Sequence, residues 1–251
     1  MGNIIHSILL IGQSNMAGRG VIGDVPPIEN AHLKVLRNGR WQPMFVPVNP
    51  DRPFSGLSLA ESFADDYQKD HDTEVGLIPC ADGGTQIEQW KEGSLLFDHA
   101  VFQAKLAQRT STIAAVLWHQ GESDCDEEKS RVYLKKMEAF YEALCRELGL
   151  EDVPFIAGGL GDFLSELVTE SRYYQSVNAQ LEKFAQSHEM TGYVPTSGLA
   201  GKPDHLHFTA ASLRELGHRY YDVFRKLERA DKIFMEKPNE DDALRTGIDG
   251  L

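Results

Sequence analysis

The stretch Ile4–Gly18, IIHSILLIGQSNMAG, decides the fold class. Its first half is apolar without alternation: Ile8, Leu9, Leu10 and Ile11 follow one another directly and stop at Gly12, after which the chain turns polar. A strand with one wet face alternates apolar and polar residues. An unbroken run is expected where helices cover both faces of a parallel sheet.

Working outward, further β-rich runs fall at Val75–Pro79, Ile113–Trp118 and Val153–Ala157, with a weaker one at Gly192–Val194. Between them, apolar residues recur at helical spacing over Leu57–Lys69, Leu95–Gln108, Glu127–Leu148 and Ser171–His188. A last helix is expected over Thr209–Arg229, with Thr209 as its N-cap. This alternation predicts an α/β protein with a five-stranded parallel sheet between helices. Gly18–Pro53 departs from it. The segment holds Pro26, Pro27, Pro43, Pro47 and Pro50 before it closes on Pro53, and no helical period, so it is expected as a long excursion with a short hairpin at Asn38-Gly39. One domain is expected over residues 1–229. The acidic remainder, 230–251, is expected to be a solvated, partly disordered tail.

The 251 residues carry a net charge of −13, which disfavours phosphate backbones and anionic lipid surfaces, so neither nucleic acid nor membrane partners are expected. Cys80, Cys125 and Cys145 have neither metal-ligand spacing nor an even count, as suits a reducing compartment. The apolar run Ile8–Ile11 is too short for a signal-peptide core and lacks a basic flank, so a cytoplasmic location is expected.

In an open α/β sheet, ligands bind beyond the carboxyl ends of the strands. There the chain places Gly12-Gln13-Ser14-Asn15-Met16, Asp82-Gly83-Gly84-Thr85, His119-Gln120-Gly121-Glu122-Ser123-Asp124, Gly158-Gly159-Leu160-Gly161-Asp162 and Asp204-His205-Leu206-His207. Ser14 could act as a nucleophile if a base takes its proton. His207 is the candidate, ahead of its neighbour His205, and Asp204 three residues earlier could orient its imidazole. Against these stand plainer readings: Ser14 as a turn former, and Trp90 and Trp118 as core residues instead of sugar-stacking ones. Gly158–Gly161 lacks the full dinucleotide spacing. His119, Asp124, Asp204, His205 and His207 have metal-ligand chemistry but no HExxH-like pairing, so no metal is expected.

Taken together, Gly12–Gly18, Gly83-Gly84-Thr85 with Trp90, Trp118–Asp124 and Asp204–His207 resemble the SGNH (GDSL-like) hydrolase superfamily. Within it they are most similar to the sialate O-acetylesterase and acetylxylan esterase group, carbohydrate esterase family six. The resemblance spans residues of about 4 to 229. It implies a flavodoxin-like three-layer α/β/α sandwich and ester hydrolysis without cofactor or metal, acting on a small-molecule or oligosaccharide acetyl ester. It makes Ser14 the nucleophile, His207 the base and Asp204 its partner, with Glu122 as an auxiliary acid. The oxyanion hole would comprise the backbone of Ser14, that of Gly84 or Gly83, and the side-chain amide of Gln120. Gln13, Arg19 and His119 are possible substrate contacts, Arg19 being equally readable as a solvent-facing residue. The rival functions are an esterase or thioesterase without sugar specificity, and a non-catalytic glycan-binding module.

Overall fold

The computed structural model describes residues 5–167 and 172–228; the acidic tail expected at 230–251 lies outside them. The strands are β1 (Ile5–Gly12), β2 (Leu33–Arg37), β3 (Arg40–Pro43), β4 (Val75–Pro79), β5 (Ser111–His119), β6 (Phe155–Gly158) and β7 (Thr191–Val194). The helices are α1 (Ser14–Ala17), α2 (Ala60–His71), α3 (Leu95–Ala107), α4 (Glu127–Leu148), α5 (Tyr174–Ser187) and α6 (Ala210–Leu227). They build one sheet in the order β3-β2-β4-β1-β5-β6-β7. All pairings are parallel except β2 with β3.

The sheet thus has seven strands where five were expected. The two extra strands come from the proline-rich excursion, whose hairpin turns at Asn38-Gly39 and joins the edge through parallel pairing of β2 with β4. An edge strand makes few core contacts, so its apolar signal is short: Leu33, Val35 and Leu36 are buried, while β3 stays largely accessible. The carbonyl and N–H of Leu57 bond to Gly20, which holds residue 57 extended and delays α2 to Ala60.

The unbroken run in β1 packs both ways. Leu9 and Ile11 enter a core with residues of α3, α4 and α5, and Ile8 and Leu10 a second core with residues of α2 and α6. Helix ends follow capping chemistry: Asp126 accepts from the Lys129 N–H at the start of α4 and Thr209 from the Ser212 N–H at the start of α6. The chain builds outward from β1 on one side, then crosses to β5 on the other, which leaves a crevice at the carboxyl ends of these central strands. Gly12 closes β1 with φ +130°, and a Cβ there would lie 2.2 Å from the His119 carbonyl oxygen. Only glycine lets the chain turn tightly enough to bring Ser14 over the ends of β1 and β5.

Candidate active site

Ser14 opens the one-turn helix α1, so its N–H lacks an intrahelical partner. Its Oγ lies 3.0 Å from His207 Nε2, and His207 Nδ1 lies 2.9 Å from Asp204 Oδ2. The other carboxylate oxygen accepts from the N–H groups of Leu206 and His207, at 3.0 and 2.9 Å, so Asp204 is oriented by its own turn. With Asp204 accepting from Nδ1–H, Nε2 is left unprotonated and faces the hydroxyl. Burial, helped by the charges of Arg19 and Lys202, lowers the His207 pKa from its ordinary value despite the raising effect of Asp204, and so favours the neutral ring. Asp204 is held below its usual range: burial opposes ionisation, but the bonds from His207 and Leu206 win. The rival His205 turns away, with φ +52° and Nδ1 3.2 Å from Glu166.

Asn15, quoted in the first motif but given no role by the sequence, clamps this arrangement. Its Nδ2 donates to Glu122 Oε1 at 2.6 Å and to the Leu206 carbonyl at 3.2 Å, while its Oδ1 accepts from the Phe208 N–H at 3.1 Å. The loop carrying His207 is therefore fastened on both sides to the residue next to Ser14. Glu122 makes no hydrogen bond to His207; Asn15 stands between it and the loop that carries His207. Burial, with Asp124 nearby, pushes its carboxyl up to about 7 despite the Asn15 bond.

His119, expected as a substrate contact, is instead wholly buried beneath the cleft. Tyr220 donates to the Trp118 carbonyl and so accepts from His119 Nδ1 at 3.1 Å. Burial lowers the His119 pKa to about 3, leaving a neutral ring whose Nε2 sits 3.7 Å from Glu122.

Gln120 is likewise corrected. Its side chain is fully buried, and Nε2 is surrounded by Thr85 O, Asp124 Oδ2 and Gln13 Oε1 at 2.9, 2.6 and 3.2 Å. Three acceptors for two hydrogens leave nothing to offer a substrate. The amide that remains is that of Gln13. Its Oε1 takes bonds from Gln120, Gly121 and Ser123, which fixes its orientation, and nothing among the described residues accepts from its Nε2. Gln13 lines the cleft.

Of the two glycines left open, Gly83 has its N–H committed to Asp51 Oδ2 at 2.9 Å, whereas the Gly84 N–H meets no acceptor among the described residues. A Cβ on Gly83 would stand 2.5 Å from Arg19 Nη2 and 2.9 Å from Asp51 Oδ2, so any larger residue must displace this ion pair. Asp51, inside the excursion, was unmarked in the sequence. It receives both ends of the Arg19 guanidinium at 2.9 and 2.7 Å, and each side chain is only 4% exposed. Burial opposes its charge, yet Arg19, Ser55 and Gly83 together hold the carboxyl below its usual value. Trp90 and Trp118 are core: both are inaccessible and meet edge-to-face, and Trp90 Nε1 braces the glycine loop through Thr85.

The cleft above these groups has a volume of about 850 Å³, room for a sugar as well as an acetyl group. Among the described residues no group of three or more His, Cys, Asp or Glu side chains is placed to hold a metal ion.

Residues 5–226 match the family model described as carbohydrate esterase, sialic acid-specific acetylesterase. The chain belongs to this family. The esterase is 30% identical to a probable carbohydrate esterase of Arabidopsis thaliana over 232 residues, covering 83% of this chain and 86% of that protein. A solved Arabidopsis thaliana protein superposes with a TM-score of 0.80 at 27% identity, over 90% of this chain and 99% of that one. NanS superposes with a TM-score of 0.72 at 14% identity, over 89% and 97% of the two chains. A carbohydrate acetylesterase from Xanthomonas citri gives 0.67 at 18%, over 90% of this chain and 56% of that one. The last two likenesses bear on the fold, which is that of the SGNH hydrolases. The esterase is accordingly a carboxylic ester hydrolase with a central, mostly parallel sheet.

Proposed function

We propose that the protein removes O-acetyl groups from carbohydrates through an acyl-Ser14 intermediate. The observation carrying this reading is the unbroken chain Ser14 Oγ–His207–Asp204, at 3.0 and 2.9 Å, opening on a sugar-sized cleft. Ser14 Oγ attacks the ester carbonyl carbon while its proton passes to His207 Nε2. Negative charge collects on the carbonyl oxygen, where the N–H groups of Ser14 and Gly84 and the amide of Gln13 are the donors at hand. Collapse breaks the bond to the sugar oxygen, which takes the proton from His207. Water, deprotonated by the same ring, then releases acetate and restores Ser14. Asp204 holds the tautomer and stabilises the imidazolium formed in each half-reaction.

The test is acetate release from acetylated xylo-oligosaccharides and p-nitrophenyl acetate by wild type and Ser14→Ala, with acid-quenched wild type analysed by mass spectrometry. The expected results are a loss of about 10,000-fold or more in Ser14→Ala and an acetyl adduct on the peptide containing Ser14. Turnover persisting in the variant would refute the mechanism. Hydrolysis of the phenyl ester alone would favour an esterase without sugar specificity.

A further inference from the structure

Building on the carbohydrate esterase reading, we infer that Phe54 is the platform on which the leaving-group sugar stacks, and that this sugar is uncharged. Among the exposed large apolar residues of the described chain, Phe54 is the one that lines the cleft, and it is 70% exposed. A single exposed aromatic is ordinary on a protein surface. This one is mounted. The Arg19 guanidinium lies 5.3 Å from its ring centroid, and that guanidinium is itself immobilised by the buried, bidentate pair with Asp51.

The short loop bearing Phe54 is tied down at both ends. Ser55 Oγ donates to Asp51 Oδ1 at 2.7 Å and accepts from the Arg52 N–H at 3.0 Å. Arg52 reaches across to the Gly83 carbonyl at 3.0 Å. The aromatic ring is thus held by the same network that sets the glycine loop beside Ser14, at a fixed offset from the nucleophile. A pyranose presents a flat face of C–H groups, which pack on the negative face of an aromatic ring; a flexible acyl chain needs no such plane.

Charge sets the second half of the inference. The cations lining the cleft are already matched: Arg19 with Asp51 at 2.7 Å, Arg52 with Asp82 at 2.7 Å, and Lys129 with Asp126. Asp204 adds a further negative charge at the same wall. A sugar carboxylate would meet no unmatched cation among the described lining residues, and would leave water to face paired charges.

The experiment compares wild type, Phe54→Ala and Phe54→Trp on three acetyl esters: ethyl acetate, an O-acetyl glucoside, and the glucuronide acetylated at the same position. Phe54→Ala is expected to lose about tenfold in kcat/KM on the glucoside and nothing on ethyl acetate, with Phe54→Trp restoring the glucoside rate. Wild type is expected to favour the glucoside over the glucuronide by at least about tenfold, since the carboxylate must be desolvated without a partner. An equal loss on ethyl acetate and glucoside, or no loss on either, would overturn the platform. A glucuronide turned over as fast as the glucoside would overturn the uncharged subsite. If wild type cleaves ethyl acetate in a Ser14-dependent manner but neither sugar ester, the carbohydrate reading fails, and this inference with it.

Discussion

Replacing Asp204 with Asn isolates what a carboxylate does for this base. The variant keeps the shape of the side chain, and its remaining oxygen can still accept from the Leu206 and His207 N–H groups that orient it at 3.0 and 2.9 Å. The atom facing His207 Nδ1, now 2.9 Å from a carboxylate oxygen, becomes an NH2 group. Two donors cannot share that contact, so the ring adopts the tautomer with its proton on Nε2, the atom that must accept from Ser14. For a fully buried aspartate this swap costs about 10,000-fold in kcat. Asp204 is 41% exposed, so water partly replaces the lost charge. The expected loss is therefore about 100- to 1,000-fold in kcat, or about 2.7–4 kcal/mol, with KM nearly unchanged.

The pH profile carries a sign as well as a size. In the proposed mechanism neutral His207 is the active form, so wild-type kcat/KM is expected to rise with pH through the His207 pKa, which burial lowers from its ordinary value. The Asp204 interaction raises that pKa, so removing it moves the acid limb to still lower pH while lowering the plateau. Glu122→Gln, which alters a residue bonded to Asn15 and not to His207, is expected to cost less than about tenfold. The assay is steady-state hydrolysis of p-nitrophenyl acetate across pH. A greater loss in Glu122→Gln than in Asp204→Asn, or an acid limb moving upward in Asp204→Asn, would refute the reasoning.

Two further outcomes are expected. Gln13→Glu keeps the oxygen that accepts from Gln120, Gly121 and Ser123 but removes the amide hydrogens, and should cost about 100- to 1,000-fold in kcat. Gln120→Leu, by contrast, should show itself as about 1–3 kcal/mol lost in urea unfolding, because Asp124 and the Thr85 carbonyl each lose a buried donor; a fully stable Gln120→Leu with abolished kcat would reverse the two roles. Asp51→Ala strands the buried Arg19 charge and should destabilise by about 3–5 kcal/mol in the same measurement, a near-neutral change being the contrary result.

The parallel core and the helices were legible because burial on both faces leaves an unbroken apolar run, and helical packing leaves its own period. Thus Val75–Pro79 and Glu127–Leu148 form over the residues expected, and Thr209 caps α6 as its side chain suggested. The edge strands were less so. β2 and β3 are short and partly exposed, β3 ends in Pro43, and what identifies them is their pairing with β4 and with each other, a property of no single segment.

The sequence by itself determined which residue types gather at the carboxyl edge of the sheet, including Ser14, Asp204 and His207, since their chemistry is local and Asp204 and His207 lie within one turn. Only the tertiary structure decided how these groups are used. Gln13 and Gln120 carry the same amide, and Gly83 and Gly84 the same N–H. Which of each pair stays free depends on acceptors brought from elsewhere: Asp124 and Thr85 for Gln120, and Asp51, some thirty residues upstream, for Gly83. His205 and His207 differ only in the direction the turn gives them, and Phe54 stands at the cleft with Arg19 against its ring. A side chain's chemistry is written in its residue type, but its availability is set by the partners that folding places within about 3 Å of it.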